Sequence, residues 1–154
     1  MKNDSGTRLR RGKIAELEVA TACIKSGLSV FMPLVDDEHV DMVVRLGGGK
    51  HYDIQVKSCL GYNRIIGIPW QFIMDKAASN YILVLAYRFN NRPSEFYYLT
   101  IKDLRNNKDF RSKNTQSNWG DLIFNKTQRN QYQNQNIEEL TKYLKSLCKS
   151  GPDI

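Results

Sequence analysis

The sequence is short of soft metal ligands and of acid–base histidine. Cys23, Cys59 and Cys148 are its only cysteines, and His39 and His51 its only histidines. The cysteines are far apart and odd in number, with no pair at zinc-ligand spacing, so they read as reduced, partly buried thiols. Two histidines leave His-Asn-His and zinc hydrolase chemistry without enough parts. Ser58 and Cys59 have no evident base partner, which argues against a covalent nucleophile. No apolar run approaches the roughly 18 residues that begin to suggest a membrane span. The stretch Met1 to Lys13 is basic and polar, and no apolar signal segment follows it. A cytoplasmic protein without membrane association is therefore expected. Internal repeats are lacking too. Gly47-Gly48-Gly49-Lys50 has the look of a phosphate loop but lacks the full Walker spacing and a following helix, so it reads as a hairpin turn.

Positive charge, by contrast, is in surplus. Lysine and arginine number 23 against 16 aspartates and glutamates, a net charge of +7, which favours a polyanionic partner. Arg8, Arg10, Arg11 and Lys13 crowd the start of the chain. Lys102, Arg105, Lys108, Arg111, Lys113, Lys126 and Arg129 gather in the last third. Both groups suit either solvated faces or phosphate contact. Tyr62, Arg64, Trp70 and Gln71 can line a DNA groove, although Trp70 suits packing equally well. Arg8, Arg10, Arg11, Lys13, Arg64, Lys113, Lys126 and Arg129 are the candidate nucleic-acid contacts.

The 154 residues are enough for one α/β domain with a real core. Residues 1–11 read as a flexible basic arm. Gly12 to Lys25 reads as a helix stopped by Gly27. Strands are expected over Leu28 to Pro33, His39 to Leu46 and Tyr52 to Ser58, the last two joined as a hairpin by the glycine turn. Val35 to Glu38 forms an acidic loop. A helix or irregular segment is expected over Gln71 to Ala78, then strands over Tyr81 to Tyr87 and Glu95 to Thr100. Lys102 to Asn106 can begin a helical turn. Residues 106–136, rich in asparagine and glutamine, read as a polar basic loop. A C-terminal helix follows over 137–149, capped by Asn136, with Ile137, Leu140, Leu144 and Leu147 as its apolar stripe.

Chemistry concentrates in the strand His51 to Ser58. Side chains alternate along a strand, so Asp53, Gln55 and Lys57 share one face and Ile54 and Val56 the other. Acid, amide and lysine are costly to bury without a partner or a ligand. Asp41, sharing a face with Val43, opposes the strand propensity around it, as functional residues often do; a strand-end residue bonding a loop is the plainer alternative. On the helical wheel Glu18, Thr21 and Lys25 form a polar face, while Glu16 lies nearly opposite, among Val19, Ala20 and Cys23. A structural salt bridge would satisfy Glu16 as well as a site would. Taken together, the hairpin brings Asp41 near Gln55 and Lys57, with Glu16 on a helix packed over the sheet. Such an oxygen-rich set suits Mg²⁺, and a lysine beside it can orient water and stabilise charge on phosphate. That is a constellation for phosphodiester hydrolysis.

Gly12-x-x-Ala15-Glu16-x-x-Val19, then Val40-Asp41, then Ile54-Gln55-Val56-Lys57-Ser58 resemble the PD-(D/E)xK nuclease superfamily, which includes restriction endonucleases and archaeal Holliday-junction resolvases. The likeness spans roughly residues 12 to 100 and includes the order of elements. It implies a restriction-endonuclease-like αβββαβ core, a mixed sheet flanked by helices, here with an added C-terminal helix. It also implies that Asp41, Gln55 and the Val56 carbonyl hold the metal, that Glu16 is the helical motif acid, and that Lys57 positions the water. Two positions depart from the common pattern. Val40 stands where proline is usual, and Gln55 where most members carry glutamate or aspartate. The Gln-x-Lys form resembles a branch that includes some intron-encoded homing endonucleases. The implied protein is a DNA endonuclease using Mg²⁺, with Mn²⁺ as a possible substitute and RNA not excluded. A homodimer would let two sites cut both strands. The rivals are a nuclease fold that binds nucleic acid without turnover, and a basic interaction domain in which Glu16, Asp41 and Lys57 form an ion-pair network. Asp53 is a possible substitute ligand acting through water.

Overall fold

The computed structural model describes residues 5–35, 39–62, 65–68, 80–106 and 120–148. The acidic residues 36–38, Arg64, Trp70, the segment expected over 71–78 and Lys113 lie outside the described residues.

Helix α1 runs Ser5–Lys25. Ala15, Val19 and Cys23, four residues apart, form its fully buried stripe, with Ala20 beside them. It starts at Ser5 rather than Gly12, so residues 5–11, expected as part of an arm, are helical. Leu9 and the arginines around it are good helix formers and carry the winding across Gly12. The helix stops where expected. Gly27 takes a φ of 83°, open to glycine at little cost. Gly27 N–H bonds the Ile24 carbonyl at 2.9 Å and Leu28 N–H the Cys23 carbonyl at 3.1 Å, the paired bonds of a glycine-ended helix.

Strands β1 (Ser29–Phe31), β2 (Met42–Arg45), β3 (His51–Leu60), β4 (Ile65–Ile68), β5 (Tyr81–Arg88) and β6 (Glu95–Thr100) follow. Then come α2 (Ile101–Asn106), β7 (Gly120–Ile123), α3 (Lys126–Gln131) and α4 (Ile137–Cys148). Five strands make one mixed sheet in the order β1-β2-β3-β5-β6. β3 and β5 are parallel and the other neighbours antiparallel. A hydrogen bond from Leu46 N–H to the Lys50 carbonyl, 2.8 Å, closes the β2–β3 hairpin across the glycine turn.

The sheet divides two cores. On one face Ile54 and Val56 of β3 and Ile82, Val84 and Ala86 of β5 pack with α1, and with Leu140 and Leu144 of α4. On the other face Tyr81, Leu83, Leu85 and Tyr87 pack with Ile66, Ile68, Leu122, Phe124 and Tyr132. β5 is thus buried on both faces, as its unbroken apolar run requires of a central parallel strand.

The segment expected as a polar loop is partly ordered structure. β7 pairs antiparallel with β4, and α3 follows it. The amides that gave the segment its loop-like composition cap this helix. Asn125 Oδ1 accepts from Thr127 N–H at 2.8 Å, and Gln128 Oε1 accepts from Asn125 N–H at 3.1 Å. The final helix matches expectation, with Asn136 Oδ1 accepting from Glu139 N–H at 2.9 Å.

Candidate active site

The β2–β3 ladder runs from Arg45 opposite His51 to Met42 opposite Ile54, and there β2 begins. β3 goes on to Leu60 with β5 alongside. Among the described residues, the half of β3 from Gln55 to Leu60 therefore has a strand on one edge only.

Asp41 stands at that stop. Its N–H bonds the Ile54 carbonyl at 2.9 Å, and its Oδ2 accepts the Val56 N–H at 2.6 Å. The carboxylate occupies the place a β2 carbonyl would have held, through a short charge-assisted bond. This is why β2 starts at Met42 and not at His39. The chain turns at His39, which has a φ of 57°, and a side chain completes the ladder. A paired strand residue presents its N–H and C=O to the same neighbour, so the Val56 carbonyl is also turned toward the Asp41 side.

Because Ile54 and Val56 pack toward α1, alternation places Asp53, Gln55 and Lys57 on the opposite face. Gln55 is only 2% exposed, and the Tyr81 hydroxyl donates to its Oε1 at 2.8 Å. Sequence reasoning missed Tyr81. Its one signal was a tyrosine inside an apolar strand, where a buried hydroxyl must find a partner. The partner follows only from the parallel register, which sets Tyr81 opposite Asp53, two pairs from Gln55 and on the same face. Lys57 is partly buried on the same face. Burial pushes the neighbouring Cys59 thiol up to about 11, while the Lys57 ammonium pulls it back in part. A thiol held that high stays protonated and is a poor nucleophile.

The other candidates are placed less centrally. Asp53 lies 3.8 Å from His51 Nε2, aimed at the start of β3. Glu16 projects from α1, on the opposite side of the sheet from the Gln55 row. Its side chain is 15% exposed, and among the described residues its carboxylate bonds Lys13 Nζ rather than Asp41, Gln55 or Lys57. Glu18, expected on a solvent face, bonds Arg88 Nη1 at 2.6 Å and ties α1 to the end of β5. Arg8, Arg10 and Arg11 spread around the axis of α1 rather than along one face. Lys126 is exposed at the start of α3. The Arg129 guanidinium lies over the Tyr62 ring, 3.9 Å from its centroid.

Among the described residues, no group of three His, Cys, Asp or Glu side chains forms a metal site. The donor set here is different in kind: one carboxylate, one amide oxygen and one main-chain carbonyl. All are oxygen donors. Asp41 gives one lone pair to Val56 and Gln55 one to Tyr81, and each has acceptor capacity beyond that. Such a set fits a hard divalent cation that keeps part of its water shell.

No family model matches the sequence, and neither does any curated protein. Solved structures do match. A bacterial homing endonuclease superposes with a TM-score of 0.55 at 14% identity, covering 91% of this chain and 95% of its own. The Holliday junction resolvase Hjc of the archaeal hyperthermophile Archaeoglobus fulgidus superposes with a TM-score of 0.51 at 11% identity, covering 85% and 95%. The chain shares the restriction-endonuclease-like fold of these two structures. Within that fold, β3 is the strand that carries Gln55-Val56-Lys57, and Asp41 is the acid at the end of the adjoining strand.

Proposed function

We propose that this protein is an endonuclease that hydrolyses DNA phosphodiester bonds with Mg²⁺, for which Mn²⁺ can substitute. The observation that carries this reading is the Asp41 carboxylate, 2.6 Å from the Val56 N–H, set against the buried Gln55 on a half-open strand. Asp41 Oδ1, Gln55 Oε1 and the Val56 carbonyl hold the cation. Its chemistry, when bound, is electrophilic stabilisation of charge developing on the phosphate. Lys57 Nζ, two residues beyond Gln55 on the same face, orients the attacking water and offsets charge on the phosphate oxygens. Glu16 joins from the α1 side through a second ion, an ordered water or Lys57. The protein acts in the cytoplasm as a homodimer, whose two symmetric sites cut the two strands.

Cleavage of supercoiled plasmid by the purified protein tests this. Nicked and linear products are expected with Mg²⁺ or Mn²⁺, to be lost in EDTA and restored by added metal. Cleavage that persists in EDTA would exclude the proposed chemistry. DNA binding without cleavage under any divalent metal would favour a second reading, a nuclease fold that binds nucleic acid without turnover. What favours that reading is Gln55, an uncharged ligand where a carboxylate would bind metal more tightly.

A further inference from the structure

Beyond the C-terminal end of β3, on the same sheet face as Gln55 and Lys57, two arginines place their guanidinium groups over aromatic rings. The chain leaves the strand at Gly61, whose φ of 62° turns it sharply. Gly61 N–H bonds the Arg88 carbonyl at 2.8 Å. Tyr62, 45% exposed, then lies edge-on to Phe89 with ring centroids 5.1 Å apart. Its hydroxyl donates to Glu95 at 2.8 Å. Arg92 sits 3.7 Å over the Phe89 ring and 5.2 Å from the Tyr62 centroid. Arg129 sits 3.9 Å over the Tyr62 ring. Tyr87 and Phe124, both fully buried, form the floor beneath.

We infer that this clamp is a binding site for the phosphodiester backbone of duplex DNA. Stacking engages the flat face of a guanidinium and leaves the N–H donors on its rim to point outward, which is how arginine recognises phosphate. Among the described residues, Arg92 has one carboxylate near it, Glu95 at 3.5 Å, which also accepts from the Tyr62 and Tyr97 hydroxyls. Among the described residues, the Arg129 guanidinium has the Tyr62 ring as its partner and no carboxylate. Lys126 lies one turn before Arg129 on α3, on the same side of that helix. Long basic side chains normally lose freedom when they grip a phosphate; these two are immobilised beforehand, which favours tight binding. At about 3.3 Å per residue, Gly61 lies about 13 Å along the strand from Lys57, roughly four base-pair steps of duplex. The clamp therefore grips the same duplex at a short distance from the proposed scissile phosphate, and it contributes binding rather than chemistry.

The inference rests on the nuclease reading for the identity of the polymer, but its test uses no cleavage. Binding of the whole protein to a duplex DNA oligonucleotide is measured by fluorescence anisotropy in EDTA across a salt series. The double substitution Arg92→Gln and Arg129→Gln is expected to weaken binding about tenfold, irrespective of sequence, and to reduce the slope of log K against log salt by about 2. An unchanged slope in a variant with the wild-type thermal midpoint overturns the inference. If the glutamine pair does not fold, the pair Arg92→Lys and Arg129→Lys decides. It keeps the charges but not the stacked fork, so the slope is expected to hold while affinity falls several-fold; wild-type affinity overturns the inference. The same titration on an RNA duplex separates the two polymers. A loss on DNA supports the assignment, and a loss on RNA alone overturns it. Failure of the wild-type protein to cleave plasmid would leave these readouts intact, so the two readings fail separately.

Discussion

Replacing Lys57 by alanine is expected to slow single-turnover DNA cleavage by about 10²–10³-fold, the usual cost of losing one preorganised group that meets developing charge. Binding to DNA is expected to change little, because the loss falls on the transition state rather than on the ground state. The structural grounds are specific. Lys57 lies two residues beyond Gln55 on the face away from α1, along the part of β3 that β2 does not cover. It is only partly buried, so its truncation leaves no large cavity and the variant is expected to fold. Lys57→Arg keeps the charge but replaces a compact ammonium with a planar fork, and is expected to restore little activity. Quenched single-turnover assays beside an anisotropy titration measure both quantities. A Lys57→Ala rate within a few-fold of wild type would remove Lys57 from the site.

A second large effect is expected at the buried pair Gln55 and Tyr81. An amide has two unlike ends, and only its oxygen can face a cation. The Tyr81 hydroxyl, donating at 2.8 Å, bonds that oxygen and leaves the amide oriented. Tyr81→Phe removes the donor and leaves a buried acceptor unsatisfied, at a cost of about 1–3 kcal/mol. Without that donor the amide is free to turn its nitrogen toward the cation site, so the Mg²⁺ concentration for half-maximal cleavage is expected to rise about tenfold, the equivalent of one lost hydrogen bond. Gln55→Glu acts the other way. It restores a charged ligand and is expected to keep or raise activity at limiting Mg²⁺. Without metal, a carboxylate buried at this position carries a desolvation cost, so the thermal midpoint is expected to fall and to recover on adding Mg²⁺. In the Gln55→Glu background Tyr81→Phe is expected to matter much less, because a carboxylate has two equivalent oxygens and no wrong orientation. The four proteins form a double-mutant cycle, read by metal titration of cleavage and by thermal shift. A well-folded Gln55→Glu protein that stays inactive at every Mg²⁺ concentration would argue against Gln55 as a ligand.

Much of this arrangement was legible in the residues themselves. The period-two row Asp53, Gln55, Lys57 and the stop at Gly27 are local properties of a strand and a helix end, and the structure keeps both. The apolar run Tyr81 to Tyr87 announced a strand, and the structure has one over Tyr81–Arg88. What was not legible depended on pairing. Tyr81 meets Gln55 only because β3 and β5 are parallel with Asp53 opposite Tyr81. Asp41 reads as an odd acid in a strand until the register ends at Met42 and its side chain takes over the ladder. The short strands β4 and β7 each carry only a few apolar residues and are stable only against one another and the second core. The helix α3 was hidden because Asn125 and Gln128, loop-formers by composition, serve as its cap. The helical phase of Glu16 set it apart from the polar face, and its side chain is 15% exposed, but phase says nothing of which partner it meets; among the described residues it bonds Lys13.

The substitution Asp41→Asn tests the central claim most directly. The asparagine carbonyl can still accept the Val56 N–H, so the end of the β2–β3 ladder and the thermal midpoint are expected to survive, while the only carboxylate among the three proposed metal donors loses its charge. Plasmid cleavage in Mg²⁺ is expected to disappear, with DNA binding in EDTA retained. Wild-type cleavage by a folded Asp41→Asn protein would contradict the account.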